Sequence, residues 1–234
     1  MTLLTTIQSA CSLLGLVQPT AVVASTDRQV QQLHRLANEE GQELLRRFNW
    51  RRLTKQHTFL TTAAAVQVGG LADDWDHFID QTMFNRDQRR RVEGPITEEQ
   101  WQVIQSMNAA TPITPAYRLR GVDFLLTPTP AAGETIAYEY ISTLWVLAAD
   151  ATTYRSYYEA DNDTALLHER LIALGIRWRF QQAKGLDYAE SMRTYGIEVQ
   201  KAAGRDKGMP TISSGGVGQY WPPYPNIPDG NWPG

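Results

Sequence analysis

The chain has 234 residues, which suggests one large domain or a core with an inserted module, long enough to fold without covalent staples. Hydrophobic residues make up 42% and charged residues 20%, which excludes general disorder, and the single Cys11 excludes an intrachain disulfide framework and a thiolate zinc site. A net charge of −3 argues against tight grip on nucleic acid by phosphate neutralisation, and no run of about 18 apolar residues is present to span a membrane.

Residues 2–15 predict a short helix with Leu3, Ile7, Ala10 and Leu14 on one face, Thr2 as its cap and Gly15 as its stop. It lacks the basic flank of a signal peptide. Cys11 falls inside this apolar pattern and reads as a buried, inert thiol. After a connector with Pro19, Thr26-Asp27-Arg28-Gln29 fits a capping box that pairs Thr26 with Gln29. The helix that follows carries Val30, Leu33, Ala37, Leu44 and Phe48 at helical spacing, and Trp50 marks its end.

The period then changes. Residues 57–60 and 65–68 predict two short strands around a turn, and residues 89–93 another that ends at Gly94-Pro95. Thr97 with Gln100 is a second capping box, opening a short helix through Trp101, Ile104 and Met107. Residues 117–120, 124–127 and 135–142, parted by a turn at Gly121 and a loop over 128–133, predict a three-strand meander. In its last strand Ile136, Tyr138 and Tyr140 share one face, and Ala137, Glu139 and Ile141 the other.

Helical periodicity returns after residues 161–164, which are expected to cap a helix carrying Leu167, Leu171, Leu174 and Trp178. Gly185 stops it, and Asp187 with Glu190 starts a last helix through Tyr188, Met192, Tyr195, Val199 and Ala202. So short a link predicts an antiparallel helical hairpin, with Leu171, Leu174 and Trp178 against Leu33, Ala37 and Leu44. The expected fold class is α+β. A mainly helical bundle, formed by residues 1–50 and 150–207, carries an inserted antiparallel β-rich module over 51–149 and ends in an extended C-terminal arm over 208–234.

That arm differs in kind. From Met209 onward it has one charged residue, Asp229, and six of the twelve prolines. Tyr220, Trp221, Tyr224 and Trp232 alternate with those prolines, which hold a chain extended, while aromatic side chains supply contact area. These four are the candidate partner-binding residues, with Gly215, Gly216 and Gly218 as a hinge.

Motifs for catalysis are missing. His34, His57, His77 and His168 have no metal-ligand spacing, no serine sits in a nucleophile elbow, and Gly215-Gly216-Val217-Gly218 lacks the Lys-Ser/Thr of a phosphate loop. Neither a cofactor nor a metal is expected. The acidic run Asp73-Asp74-Trp75-Asp76, with Asp80 following, admits two readings. One is a carboxylate pair for glycan hydrolysis, which needs carboxyl groups about 5–9.5 Å apart; the other is capping or solvated charge. Two basic clusters, Arg46, Arg47, Arg51, Arg52 and Lys55, then Arg86, Arg89, Arg90 and Arg91, read as solvated faces or as salt bridges between subunits.

Several weak motifs in order carry a family resemblance. They are the short first helix ending Leu13-Leu14-Gly15-Leu16, the exit Phe48-Asn49-Trp50-Arg51, the turn Gly94-Pro95-Ile96-Thr97, the β segment over 117–142, and Trp178 followed by Lys184-Gly185-Leu186-Asp187-Tyr188. Over residues 1–207 the chain resembles the head-to-tail adaptors of tailed phages, especially the tail tubular protein A type of short-tailed phages. The resemblance implies a structural, non-enzymatic virion protein of the neck, assembled in the host cytoplasm. It implies a ring of typically twelve copies between the portal and the tail tube or nozzle, with the genome DNA passing through its channel. A virion-associated glycan hydrolase using Asp73, Asp74 and Asp76 is the alternative.

Overall fold

The computed structural model describes residues 2–106 and 114–207. Helix α1 spans Leu3–Leu14; the Thr2 hydroxyl accepts from the Thr5 amide at 3.4 Å, and Gly15 ends the helix in the left-handed conformation, φ 69°. Its buried stripe is Leu3, Ile7, Ala10 and Cys11, and burial raises the Cys11 thiol above its usual pKa. Helix α2 spans Arg28–Arg47, and its cap is Asp27 rather than Thr26: the carboxylate accepts from the Gln29 amide at 2.8 Å. A carboxylate also meets the positive pole of the helix dipole, which a hydroxyl does not. At the other end the Trp50 indole donates to the Leu44 carbonyl at 2.7 Å, one of the acceptors a helix terminus leaves open. A 3-10 turn, Arg51–Leu53, leads into the strands.

The strands are β1 Thr54–Leu60, β2 Val66–Gln67, β3 Trp75–Phe78, β4 Phe84–Asn85, β5 Arg90–Arg91, β6 Ala116–Arg120, β7 Asp123–Thr127, β8 Thr135–Ser142, β9 Val146–Leu147, β10 Tyr154–Arg155 and β11 Thr164–Ala165. Strand β8 organises them. β1 pairs antiparallel along its whole length, from Thr54 opposite Ile141 to Leu60 opposite Thr135, while β3 and β4 share its other edge and β5 lies beyond β4. A second sheet has the order β2-β7-β6 and a third β10-β9-β11.

This topology corrects two expectations. The meander stops after its hairpin: β6 pairs with β7, but β8 belongs to another sheet, because β1 takes its edge and Thr61 binds the backbone of Gly133 and Glu134 just before it. Residues 57–60 and 65–68 do not pair with each other either. β2 pairs with β7, and the turn before it is held by the Gln67 side chain, which accepts from the Thr62 amide at 2.7 Å and donates to the Ala64 carbonyl at 2.5 Å.

Helix α3, Glu98–Ser106, has the reciprocal capping box expected: Thr97 N donates to Gln100 Oε1 at 3.0 Å and Gln100 N to Thr97 Oγ1 at 3.2 Å. Met107 lies outside the described residues. Helix α4 spans Glu169–Ala183 and helix α5 Ala189–Lys207. α4 starts later than expected because residues 161–164 serve other partners. The Asp161 carboxylate accepts from the Val22 and Val23 amides, the buried Asp163 carboxylate from those of Glu159 and Ala160, and Thr164 opens β11. Gly185, at φ 68°, and Asp187, accepting from the Ala189 amide at 3.1 Å, make the turn between α4 and α5 as expected.

α4 is the central helix, in contact with α1, α2 and α5. Its apolar cluster draws on α1, α2, α4, α5, Ile141, Trp145 and Val146; a second cluster joins Phe59, Met83, Val92, Tyr117, Phe124, Leu126, Ile136, Tyr138 and Tyr140. β8 feeds both, sending Ile136, Tyr138 and Tyr140 into the second and Ile141 into the first. Trp178 lies beside Tyr188 and Tyr195, while Gly175 and Arg179 of α4 are what meet Glu40 of α2. The fold is α+β, but "mainly helical" overstates the helices: among the described residues 39% is helix and 22% strand.

Candidate docking surfaces

The acidic run does not form an open carboxylate pair. Asp74 lies just before β3, and its carboxylate accepts from Lys55 Nζ at 2.6 Å, Tyr140 Oη at 2.5 Å and Ser142 Oγ at 2.6 Å, fastening β1 to β8. Burial alone would raise its pKa, but the hydrogen bonds from Lys55, Ser142 and Tyr140 outweigh it and hold the carboxyl below its ordinary value. The same contact, together with burial, pushes the Tyr140 hydroxyl up. A general acid must keep its proton near neutral pH, and Asp74 does the reverse. Asp76 Oδ2 lies 2.7 Å from His77 Nδ1, with Asn49 Oδ1 on the other ring nitrogen at 3.0 Å. Asp73 and Asp80 are exposed. Among the described residues no group of His, Cys, Asp and Glu side chains could hold a metal ion.

The structure separates the two basic clusters. Much of the first is engaged within the subunit. Arg47 pairs with Glu43 at 3.1 Å and lies over the Tyr195 ring, the Arg51 amide donates to Asp206, and Lys55 binds Asp74. The second is carried by the β4–β5 hairpin. That hairpin is strapped to the start of β8 by its own polar residues. Asn85 and Gln88 donate to the two Glu134 oxygens at 2.7 Å each, and Asp87 accepts from the Thr135 amide at 2.5 Å. With its carboxylate turned inward, the hairpin leaves Arg86, Arg89 and Arg91 exposed on a fixed support.

Two features were not singled out from the sequence. The first is a buried charged node. Glu40, fully buried on α2, accepts from Arg179 Nε of α4 at 2.8 Å and from the Tyr195 hydroxyl of α5. Arg179 also reaches Glu39 at 3.1 Å and lies over the Trp178 ring. Burial raises the Glu40 carboxyl above its ordinary pKa although Tyr195 and Arg179 pull it down. Gly175 makes room for it, since a β-carbon there would sit 2.1 Å from the Glu40 carboxyl carbon. A signal existed. The stripe Val30, Leu33, Ala37, Leu44 runs through position 40, and a carboxylate on a buried stripe calls for a cation opposite.

The second is a cleft of about 620 Å³ between the 3-10 turn, the start of α4 and the last turns of α5. Trp50, Leu166, Leu171 and Ala202 form its apolar floor; Arg52, Arg170, Lys201 and Arg205 stand around it with Glu198 and Asp206. Both acids are engaged, Glu198 by Lys201 at 2.9 Å and Asp206 by the Arg51 amide at 2.8 Å. Arg170 and Arg205 are exposed and form no ion pair among the described residues. The cleft was invisible in the sequence because its lining comes from three separated segments. The four sequence-predicted anchors, Tyr220, Trp221, Tyr224 and Trp232, and the arm that carries them lie outside the described residues.

The chain belongs to the SU10 adaptor protein family, whose model matches residues 1–215. It is therefore a structural protein of the phage adaptor type, associated with other virion components. The match carries the adaptor class and not the narrower tail tubular protein A type. No curated protein matches the chain. No helix among the described residues is long and apolar enough to cross a membrane.

Proposed function

We propose that copies of this chain form a ring, typically of twelve, in the virion neck between the portal and the tail tube or nozzle, assembled in the host cytoplasm. The genome DNA passes through its channel without specific binding, and the protein acts without cofactor or catalysis. The observation that carries this reading is the adaptor-family match over residues 1–215. The two apolar clusters support a division of labour in part, since Leu53, Ile141, Trp145 and Val146 of the inserted segment pack into the helical cluster. Residues 1–50 with 150–207 build the ring and meet the portal, and residues 51–149 project toward the next tail component. The net charge of −3 agrees with a channel that does not trap a sliding polyanion. The arm over 208–234, through Tyr220, Trp221, Tyr224 and Trp232, ties each copy to a neighbour in the particle.

Electron microscopy of the purified full-length protein mixed with a portal ring tests this. The expected result is a closed ring of adaptor density on one face of the portal, with a channel on the shared axis. Portal rings without added density at saturating protein overturn the reading.

A further inference from the structure

We propose that the cleft between the 3-10 turn, α4 and α5 is the seat of the C-terminal arm of a second copy of this chain, so that each subunit staples the next. The inference rests on the ring reading and adds to it the receptor site.

Three observations converge on this occupant. The first is chemical fit. The floor of Trp50, Leu166, Leu171 and Ala202 suits apolar and aromatic side chains, and the rim offers Arg52, Arg170, Lys201 and Arg205. Arginine and lysine beside a Tyr or Trp ring attract it through the ring's quadrupole. Arg179 over Trp178 and Lys184 over Phe180 show this chain already pairing cations with aromatics at 4.7 and 5.3 Å. The second is charge. Lys201 and Glu198 pair with each other at 2.9 Å, which leaves Arg52, Arg170 and Arg205 on the rim against Asp206, while the arm's one charged residue is the anionic Asp229.

The third is reach. The cleft's α5 residues, Glu198 to Asp206, lie just before Lys207, so a chain continuing past Lys207 has to reverse to enter its own cleft. Twenty-seven residues follow Lys207. A Pro-rich segment of that length, when fully extended, spans about 80 Å at about 3.1 Å per residue. A compact chain of this length has a radius of gyration of about 17 Å, hence a width of roughly 45 Å. A segment of this length is thus long enough, when extended, to reach past the subunit that bears it. The four aromatic anchors lie beyond residue 215, where the family match ends.

The test uses the full-length protein. A photo-cross-linking amino acid is placed at position 221, and the protein is mixed with a ¹⁵N-labelled copy, assembled on portal rings and irradiated. The expected products join the segment around 221 to peptides from 166–171 or 198–206 across unlike isotopes. The charge reversals R170E and R205E, both at exposed positions, should together lower that cross-link yield at least tenfold with little change in the thermal midpoint. Cross-links only within one isotope mean the arm folds onto its own subunit, and cross-links to portal peptides mean a different receptor. Either result overturns the proposal. Mass measured on the same sample separates the two readings: no ring on the portal removes the adaptor ring itself, whereas a ring cross-linked elsewhere removes only this seat.

Discussion

The node of Glu40, Arg179 and Tyr195 offers a decisive perturbation because one carboxylate ties three helices together. Replacing Glu40 by Ala removes the acceptor for Arg179 Nε and for the Tyr195 hydroxyl at once, leaving a largely buried guanidinium short of its partner. Breaking a buried pair from one side costs about 3–5 kcal/mol, which for a chain of 150–250 residues lowers the thermal midpoint by roughly 6–20 °C. Glu40→Gln keeps a side-chain oxygen for the bond and removes the charge, so it should cost less. The pH dependence then reads the sign of the electrostatics. The folded-state pKa of Glu40 lies above its ordinary value of 4.5, so the folded state holds the proton more tightly than the unfolded chain does. Its stabilising contribution is full below pH 4.5 and falls as pH rises through the raised folded value, after which it is constant. Calorimetry of the wild type and Glu40→Gln across pH 4–8 should show the wild type losing ground as pH rises. If the wild type gains on the variant instead, attraction to Arg179 exceeds the cost of burying the carboxylate, and the argument from burial is wrong.

Trp178 is 9% exposed in the helical cluster, and Trp178→Ala should cost about 3–5 kcal/mol, seen as a lowered denaturation midpoint. Asp74→Ala removes an acceptor from Lys55, Tyr140 and Ser142, and at about 1.5–3 kcal/mol for a hydrogen bond to a charged group it should weaken the junction of β1 and β8 by at least one such bond. Because Asp74's folded pKa lies below the ordinary 3.8, that contribution is present above pH 3.8 and is lost as pH falls through the folded value; acid titration of the unfolding free energy should show a step there that Asp74→Asn lacks. Reversing Arg86, Arg89 and Arg91 to Glu should leave the melting curve nearly unchanged but weaken assembly on the portal. Wild-type assembly should weaken between low and molar salt, since exposed charges are screened over about 8–10 Å at physiological ionic strength.

Local signals were legible and long-range ones were not. Thr2, Gly15, Thr97 with Gln100, Gly185 and Asp187 each act within a few residues, so their capping chemistry could be read directly, and each sits where the periodicity put it. Strand pairing is a competition between distant segments. The pattern of β8 fits a meander with β7, but the seven residues of β1 match it along its full length and win the edge. Residues 161–164 look like a helix cap because Asp161 and Asp163 are good capping residues. Asp161 instead serves the distant amides of residues 22 and 23, which nothing near it in sequence announces, and Asp163 turns back to those of residues 159 and 160 rather than forward into a helix. The cleft was illegible for the same reason: Arg52, Arg170 and Arg205 converge only once α5 folds back along α4.

The net charge of −3 conceals how the charges are used. Asp27, Asp87, Asp161, Asp163, Asp187 and Asp206 all accept from backbone amides, so these carboxylates fix turns, caps and strand ends. The arginines have no comparable work to do on the backbone, which offers them only carbonyls, and a guanidinium is seldom fully buried without a carboxylate opposite. Arg179 has one and is drawn in; Arg86, Arg89, Arg91, Arg170 and Arg205 are left facing outward. An acidic chain thus presents local positive surfaces at its β4–β5 hairpin and at the rim of its cleft. The exclusion of phosphate gripping drawn from composition therefore applies to the chain as a whole and not to each of its faces. For a protein that assembles with copies of itself, the arrangement has a direct consequence. Cations projecting from fixed supports steer and orient a partner, and they select one that brings carboxylates or aromatic rings to the same place.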